Sequence, residues 1–242
     1  MSCSRLFFVF LLFIFGTSAT AQESPSKFEI NGYVKFLNTT TLSDAIDESL
    51  LDNLVHNRLN TKWYIDNKWT LTTQLRNRLF WGDTYRLNPF FESQLQLGAK
   101  DYLDLSTSYF KSSNFIGHTA LDRAYLEFAV EKWNIRIGRQ RINWGINLIW
   151  NPNDVFNAYN FVDFDYEERP GSAAIRLQYN YSFASGVEFV FNPSRIGNQQ
   201  TFAALWKTNK WNYDFQFLGG KVDRDLVIGG GWAGSIGLWG YK

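Results

Sequence analysis

Cysteine is all but missing from this chain: among its 242 residues, Cys3 is the only one. That excludes a disulfide-held scaffold. Histidine occurs only at His56 and His118, too few for a zinc site built from the usual nitrogen and sulfur ligands. Charged residues make up 19%, below the roughly 25% of ordinary soluble domains. Their signs nearly cancel, 24 basic against 23 acidic, which offers nucleic acid no basic surface. No apolar run reaches the ~20 residues of a membrane-crossing helix, so a polytopic helical membrane protein is excluded. The abundance lies in 22 Phe, 12 Tyr and 10 Trp. With a mean hydropathy of −0.27, the chain is aromatic without being hydrophobic overall. That aromatic content argues against disorder.

Residues 1–21 read as a secretory signal peptide. Arg5 supplies its positive charge, Leu6 to Phe15 is an unbroken apolar run, and Ala19-Thr20-Ala21 is an A-x-A cleavage site. Cys3 precedes the apolar run, where a lipoprotein would carry its cysteine after it. Cleavage removes one charge, Arg5, so 24 basic residues become 23 against 23 acidic ones and the net charge becomes 0. The expected organisation is a signal peptide over 1–21 and a single β domain over 22–242.

After the leader the dominant period is two, as in strands with unlike faces. Phe28, Ile30, Val34 and Phe36 share one face. Leu59, Thr61, Trp63 and Ile65 oppose His56, Arg58, Asn60 and Lys62. Trp69, Leu71, Leu75, Leu79 and Trp81 oppose Thr70, Thr72, Gln74, Arg76 and Arg78. The pattern recurs over 102–109, 122–130, 133–137, 172–182, 187–192, 202–206 and 213–217, with a last segment from Leu226. This makes about 11 strands of roughly 8–12 residues.

Tight polar turns at Asp66-Asn67-Lys68, Glu131-Lys132 and Thr208-Asn209-Lys210 alternate with longer stretches at 38–53, 82–101, 111–118 and 145–171. Short turns at one end and long loops at the other is the layout of an outer-membrane barrel. The strands approach the ~9–11 residues that cross a bilayer when tilted. Trp63, Trp69, Trp81, Trp133, Trp206 and Trp211 fall at or near strand ends, where interfacial girdles form. The expected fold is all-β: an antiparallel transmembrane up-and-down β-barrel. The odd strand count and the glycine-rich stretch from Gly229 to Lys242 lead us to expect the N-terminal part of a larger barrel of about 14–18 strands. A complete barrel of about 10 or 12 strands is the alternative.

Three stretches carry a resemblance. They are Arg136-Ile137-Gly138-Arg139-Gln140-Arg141-Ile142-Asn143-Trp144-Gly145, Trp150-Asn151-Pro152-Asn153-Asp154-Val155-Phe156, and Phe164-Asp165-Tyr166-Glu167-Glu168-Arg169-Pro170-Gly171. Together they resemble uncharacterised porin-like outer-membrane β-barrels of Gram-negative bacteria, in which a G-R-Q-x-x-x-W-G strand end leads into a P-x-D loop and an R-P-G strand start. The resemblance covers residues 120–242 and implies a fold and a location. It implies no substrate and no binding residues. Lipid of the outer membrane and small polar solutes are the expected partners, with no cofactor and no metal; whether the chain forms a homo-oligomer stays open.

The polar rows would line the lumen with Arg58, Lys62, Arg76, Arg78, Arg123, Glu127, Arg136 and Arg176. Acids in those rows are fewer: Glu29, Glu127, Glu188 and Asp214. An arginine-rich pore favours anions. The competing reading pairs these arginines with acids and leaves them as filler. Arg139 and Arg141 fall on the lipid row if the strand runs unbroken past Gly138, so a bulge there or an exit from the membrane is expected. The 145–171 segment is long for a loop and carries Trp150, Asp154, Asp163, Asp165, Glu167 and Glu168, a candidate constriction if it folds inward. Folding on the outer rim is the alternative.

Catalytic signals are weak. Gly229-x-Gly231-x-x-Gly234 matches a dinucleotide fingerprint by letter but has no βαβ context. His118 with Asp122 and Ser112 or Ser113 would be the makings of an esterase, without a nucleophile elbow. The expected function is passive diffusion of small polar solutes through an outer-membrane channel, with a weak anion preference. A non-conducting barrel that binds or helps assemble surface polysaccharide is the second reading, and a lipid or ester hydrolase the third.

Overall fold

The computed structural model describes residues 26–43, 48–95, 102–146, 151–156, 171–237 and 239–241, so the expected signal peptide over 1–21 lies outside them. The alternating segments form one antiparallel sheet of twelve strands. They are β1 (Phe28–Ser43), β2 (Glu48–Tyr64), β3 (Trp69–Gly82), β4 (Ser106–Tyr109), β5 (Phe115–Val130), β6 (Trp133–Gln140), β7 (Ser172–Ser182), β8 (Ser185–Asn192), β9 (Thr201–Lys210), β10 (Tyr213–Val222), β11 (Asp225–Ile236) and β12 (Trp239–Tyr241). Two single-turn helices, α1 (Asp83–Leu87) and α2 (Phe91–Leu95), follow β3. Strands pair in chain order from β1 to β12, except that β3 pairs directly with β5 and β4 lies beside β5 off this path. β1 and β12 are not paired with each other among the described residues, so the sheet is open.

The two faces of the sheet are inverted relative to a water-soluble sandwich. One face is bare and apolar: Ile30, Val34 and Phe36 on β1, Phe189 and Phe191 on β8, and Phe217 on β10 are all exposed. The other is covered and polar: His56, Arg58, Arg76, Arg78, Glu188 and Gln216 are buried there. A soluble sheet would lose roughly 25 cal/mol for each Å² of apolar surface left in water. The bare face is also banded. Near the short-turn end Trp69 packs on Phe128 at 4.7 Å and Trp133 on Tyr179 at 4.6 Å, while Trp206 Nε1 donates to Tyr181 Oη at 2.9 Å. Toward the other end Trp81 stacks on Phe36 at 5.9 Å.

The expected asymmetry of the connections is present. Tight turns at 65–68, 131–132, 183–184 and 211–212 share one end, and the excursions 83–114, 141–171 and 193–200 share the other. The hairpin at 223–224 is tight although it lies at the long-loop end. In the β2–β3 turn Asp66 Oδ1 accepts from the amides of Lys68 at 2.7 Å and Trp69 at 2.8 Å. Those two bonds hold its carboxyl below the usual carboxylate range. A depressed carboxylate stabilises the turn above its unfolded pKa, and that support disappears only as pH falls through the depressed value. Asp66→Ala is therefore expected to speed hydrogen exchange at the Lys68 and Trp69 amides at neutral pH, with little change below the carboxylate range.

Several expectations need correction. Residues 38–43 and 48–53 are not loop: the β1–β2 ladder continues from Asn38↔Asn53 to Ser43↔Glu48. Cross-strand pairing keeps a polar strand in the ladder where composition alone reads as loop. The 111–118 stretch is strand from Phe115 onward. The 102–109 strand shrinks to Ser106–Tyr109, a four-residue filler beside the part of β5 that β6 does not reach. The β9–β10 turn lies at Trp211 (φ 58°) and Asn212 (φ 64°), not at Thr208–Lys210, because a two-residue hairpin needs positive φ at both positions.

Two irregularities move charges inward. On β3 and β5 the register passes from Gln74↔Arg123 to Leu75↔Leu121, which leaves Asp122 as an extra residue. This bulge reverses the parity, so His118, Ala120 and Asp122 are covered even though Arg123 is on the covered row beyond it. Gly138, at φ 123°, breaks the alternation of β6 while its pairing with both neighbours continues. Arg139 and Gln140 are consequently both buried, and Arg139 does not face outward. A side chain at position 138 would be strained at that φ and would run into the Ala124 carbonyl oxygen.

Candidate functional site

All eight residues expected to line a lumen fall on the covered face of β2, β3, β5, β6 and β7. Arg58, Arg76 and Arg78 are buried there; Lys62, Arg123, Glu127, Arg136 and Arg176 are half-buried. Their partners explain how so much charge can be covered. Asp122, put inward by the bulge, receives Arg58 Nη1 at 3.3 Å and Arg76 Nη2 at 3.5 Å. Arg58 Nη2 also donates to Gln74 Oε1 at 2.7 Å. Arg136 pairs with Glu127 at 2.9 Å and lies over the Tyr125 ring; Arg176 pairs with Glu188 at 2.7 Å. Arg78 lies over Phe80 and Lys62 over Tyr64. The arginines share this face of the sheet, and at least four of them are ion-paired.

The covered face has a second half of different chemistry. On β7 to β10 its rows carry Ala174, Val190, Ala203, Leu205 and Leu218, which form the apolar cluster of the protein with Ile142 and Trp144. Val155, Phe156 and Val227 pack on that cluster, and Phe156 meets the Trp144 ring edge-on at 4.9 Å. The chain leaving β6 has thus turned back onto the sheet instead of running outward. Polar bonds fix it there. Trp144 Nε1 donates to Glu188 Oε1 at 2.7 Å, and Gln216 Nε2 donates to the Trp144 carbonyl at 2.7 Å. Asn153 Nδ2 donates to the Gly230 carbonyl at 3.1 Å, and Ser172 Oγ to the Phe156 carbonyl at 3.0 Å.

The glycines of β11 make room for this segment. A Cβ at Gly229 would meet Asn153 Oδ1 at 2.6 Å, and one at Gly231 would meet Ile146 Cδ1 at 2.8 Å. The run that matches a dinucleotide fingerprint by letter is therefore a seat for residues 146 and 153 on a strand, with no helix N-terminus among the described residues at hand to hold a phosphate.

Of the constriction candidates, Asp154 is buried on this inward segment, its amide donating to the Asn151 carbonyl at 3.1 Å. Trp150, Asp163, Asp165, Glu167 and Glu168 lie outside the described residues. The residues that anchor the segment, Ile142, Trp144 and Asn153, were not singled out as site residues from the sequence. The available signal was that Ile142 and Trp144 keep a spacing of two after the break at Gly138.

The esterase arrangement is not assembled. His118 is buried, and neither of its ring nitrogens has a hydrogen-bond partner among the described residues. Asp122 is engaged by the two arginines, and Ser113 Oγ donates to Asn114 Oδ1. His56 is buried beneath Tyr33, edge to ring at 5.3 Å. Among the described residues no group of three or more His, Cys, Asp or Glu gathers where a metal could bind, and no helix is long and apolar enough to cross a membrane. No family model, no curated protein and no solved structure matches the chain.

Proposed function

We propose that this sheet is wall of a transmembrane β-barrel in a Gram-negative outer membrane, and that the protein is a porin-like channel for passive diffusion of small polar solutes. The observation that carries the reading is the inversion of the faces: buried arginines on one side, exposed aliphatic and aromatic rows with tryptophan bands on the other. Lipid suits the bare face, and a closed barrel leaves no strand edge without partners in it. Closure joins the β1 edge to the far edge of the sheet through further strands, as in a barrel of about 14–18. The leader at 1–21 supports export.

Within that barrel the arginine half of the covered face is the solute path. The β7–β10 half is occupied by residues 142–146 and 151–156, which would narrow the lumen. The basic residues on the remaining wall outnumber its acids, which supports a weak anion preference. In planar bilayers, full-length protein is expected to give steady single-channel conductance, with a reversal potential in a salt gradient on the anion-selective side. Cation selectivity would overturn the role given to the arginines. The inward segment also favours a second reading, a plugged barrel that binds or helps assemble surface polysaccharide. Verified folded protein that does not conduct would decide for it.

A further inference from the structure

The bare face is not uniformly apolar. One transverse row crosses it on the first strands: Asn57 on β2 is paired in register with Asn77 on β3, Asn77 with Thr119 on β5, and Thr119 with Thr107 on β4. Asn57 Nδ2 donates to the Tyr33 carbonyl at 3.1 Å, Asn77 Nδ2 to Asn57 Oδ1 at 3.0 Å, and Thr119 Oγ1 to Asn77 Oδ1 at 2.7 Å. The rows on either side are apolar: Leu59, Leu75 and Leu121 toward the short turns, Val55 and Leu79 toward the long loops. A second polar contact, Thr61 Oγ1 to Thr73 Oγ1 at 2.6 Å, lies two rows from the amides. On β7 and β8 the bare face instead carries Ile175, Leu177, Val187 and Phe189.

From this row we infer that the bare face of β2, β3 and β5 packs against a second copy of this chain. The inference rests on the membrane reading above. Each amide nitrogen has two hydrogens, and the bonds within the row use one on Asn57 and one on Asn77. Both side chains lie on the bare face and are only half-buried, so part of each amide is open to whatever covers the sheet. Hydrocarbon offers no acceptor, and polar side chains within a membrane serve to join protein to protein. An amide row is self-complementary: brought against itself by a two-fold axis, each N–H finds the other copy's carbonyl oxygen. The Ile, Leu, Val and Phe rows of β7 and β8 have no such requirement and are left to lipid.

Thiol cross-linking in native membranes tests this, because Cys3 falls within the leader and the rest of the chain has no cysteine. Full-length protein carrying Asn57→Cys is expected to give an oxidant-dependent product at twice the chain mass, and Leu177→Cys none. Asn57→Leu combined with Asn77→Leu, in the cysteine-free background, is expected to move the mild-detergent native mass from oligomer to monomer. A monomeric mass for the unaltered protein, a product from Leu177→Cys only, or a heavier product containing another protein would overturn the inference. Release of the unaltered protein from membranes by carbonate would instead defeat the membrane reading beneath it. An integral but monomeric protein defeats the inference alone.

Discussion

Trp144→Ala is expected to raise single-channel conductance and to loosen residues 142–146 and 151–156 from the sheet. Trp144 is 2% exposed and lies at the centre of the contacts between this segment and β7–β10. Its truncation removes about 3–5 kcal/mol of packing, the range for buried Trp or Phe. It also removes the bond from Nε1 to Glu188, but Glu188 keeps Arg176 at 2.7 Å, so no carboxylate is stranded. The loss therefore falls on the attachment of the segment more than on the wall. The matching control is Trp206→Ala on the bare face, which leaves conductance unchanged. Gly231→Leu approaches the same point from the sheet side, since a side chain there displaces Ile146. A variant with intact fold and unchanged conductance would show that the segment does not limit the path.

The second large effect belongs to Asp122. Asp122→Asn keeps the shape of the side chain and removes the negative charge shared by Arg58 and Arg76, whose side chains are 9% and 1% exposed. Breaking a buried pair by deleting one partner costs about 3–5 kcal/mol. Thermal unfolding in detergent is expected at a clearly lower temperature, and reversal potentials should move further toward anion selectivity. Combining Asp122→Asn with Arg76→Met is expected to recover part of the stability, because the uncompensated cation leaves with its partner. Recovery is the informative outcome: if the double variant is less stable than Asp122→Asn alone, Arg76 is held by interactions that do not depend on Asp122.

Much of the sheet was legible because period two is a local property. Leu59 and Trp63 against His56 and Arg58 needs only neighbouring residues to read, and the structure puts the first pair bare and the second buried. What was not legible depends on partners distant in sequence. The strand character of 38–43 and 48–53 comes from pairing between the two segments. The inward position of Asp122 comes from a one-residue register shift against β3, which no pattern along β5 reveals. Gly138 was recognisable as a problem, since Arg139 could not face lipid unbroken, but its resolution needed the φ of 123°. The inward segment was legible only as a long aromatic and acidic stretch. Its seat consists of an absence of side chains at Gly229 and Gly231, sixty or more residues away.

The bare face of β7 is expected to meet lipid, and its polar face is not. Single thiols introduced along β7 test it most directly, since the chain beyond Cys3 is free of cysteine. Spin labels attached to Leu177→Cys and Tyr179→Cys variants in vesicles should collide mainly with oxygen, which concentrates in hydrocarbon. Labels attached to Gln178→Cys and Asn180→Cys should be sheltered from lipid and in contact only with protein or water-borne nickel chelate. An alternation with that phase is the predicted result. Equal accessibility at all four positions, or nickel chelate reaching the Leu177 and Tyr179 row, would contradict the account.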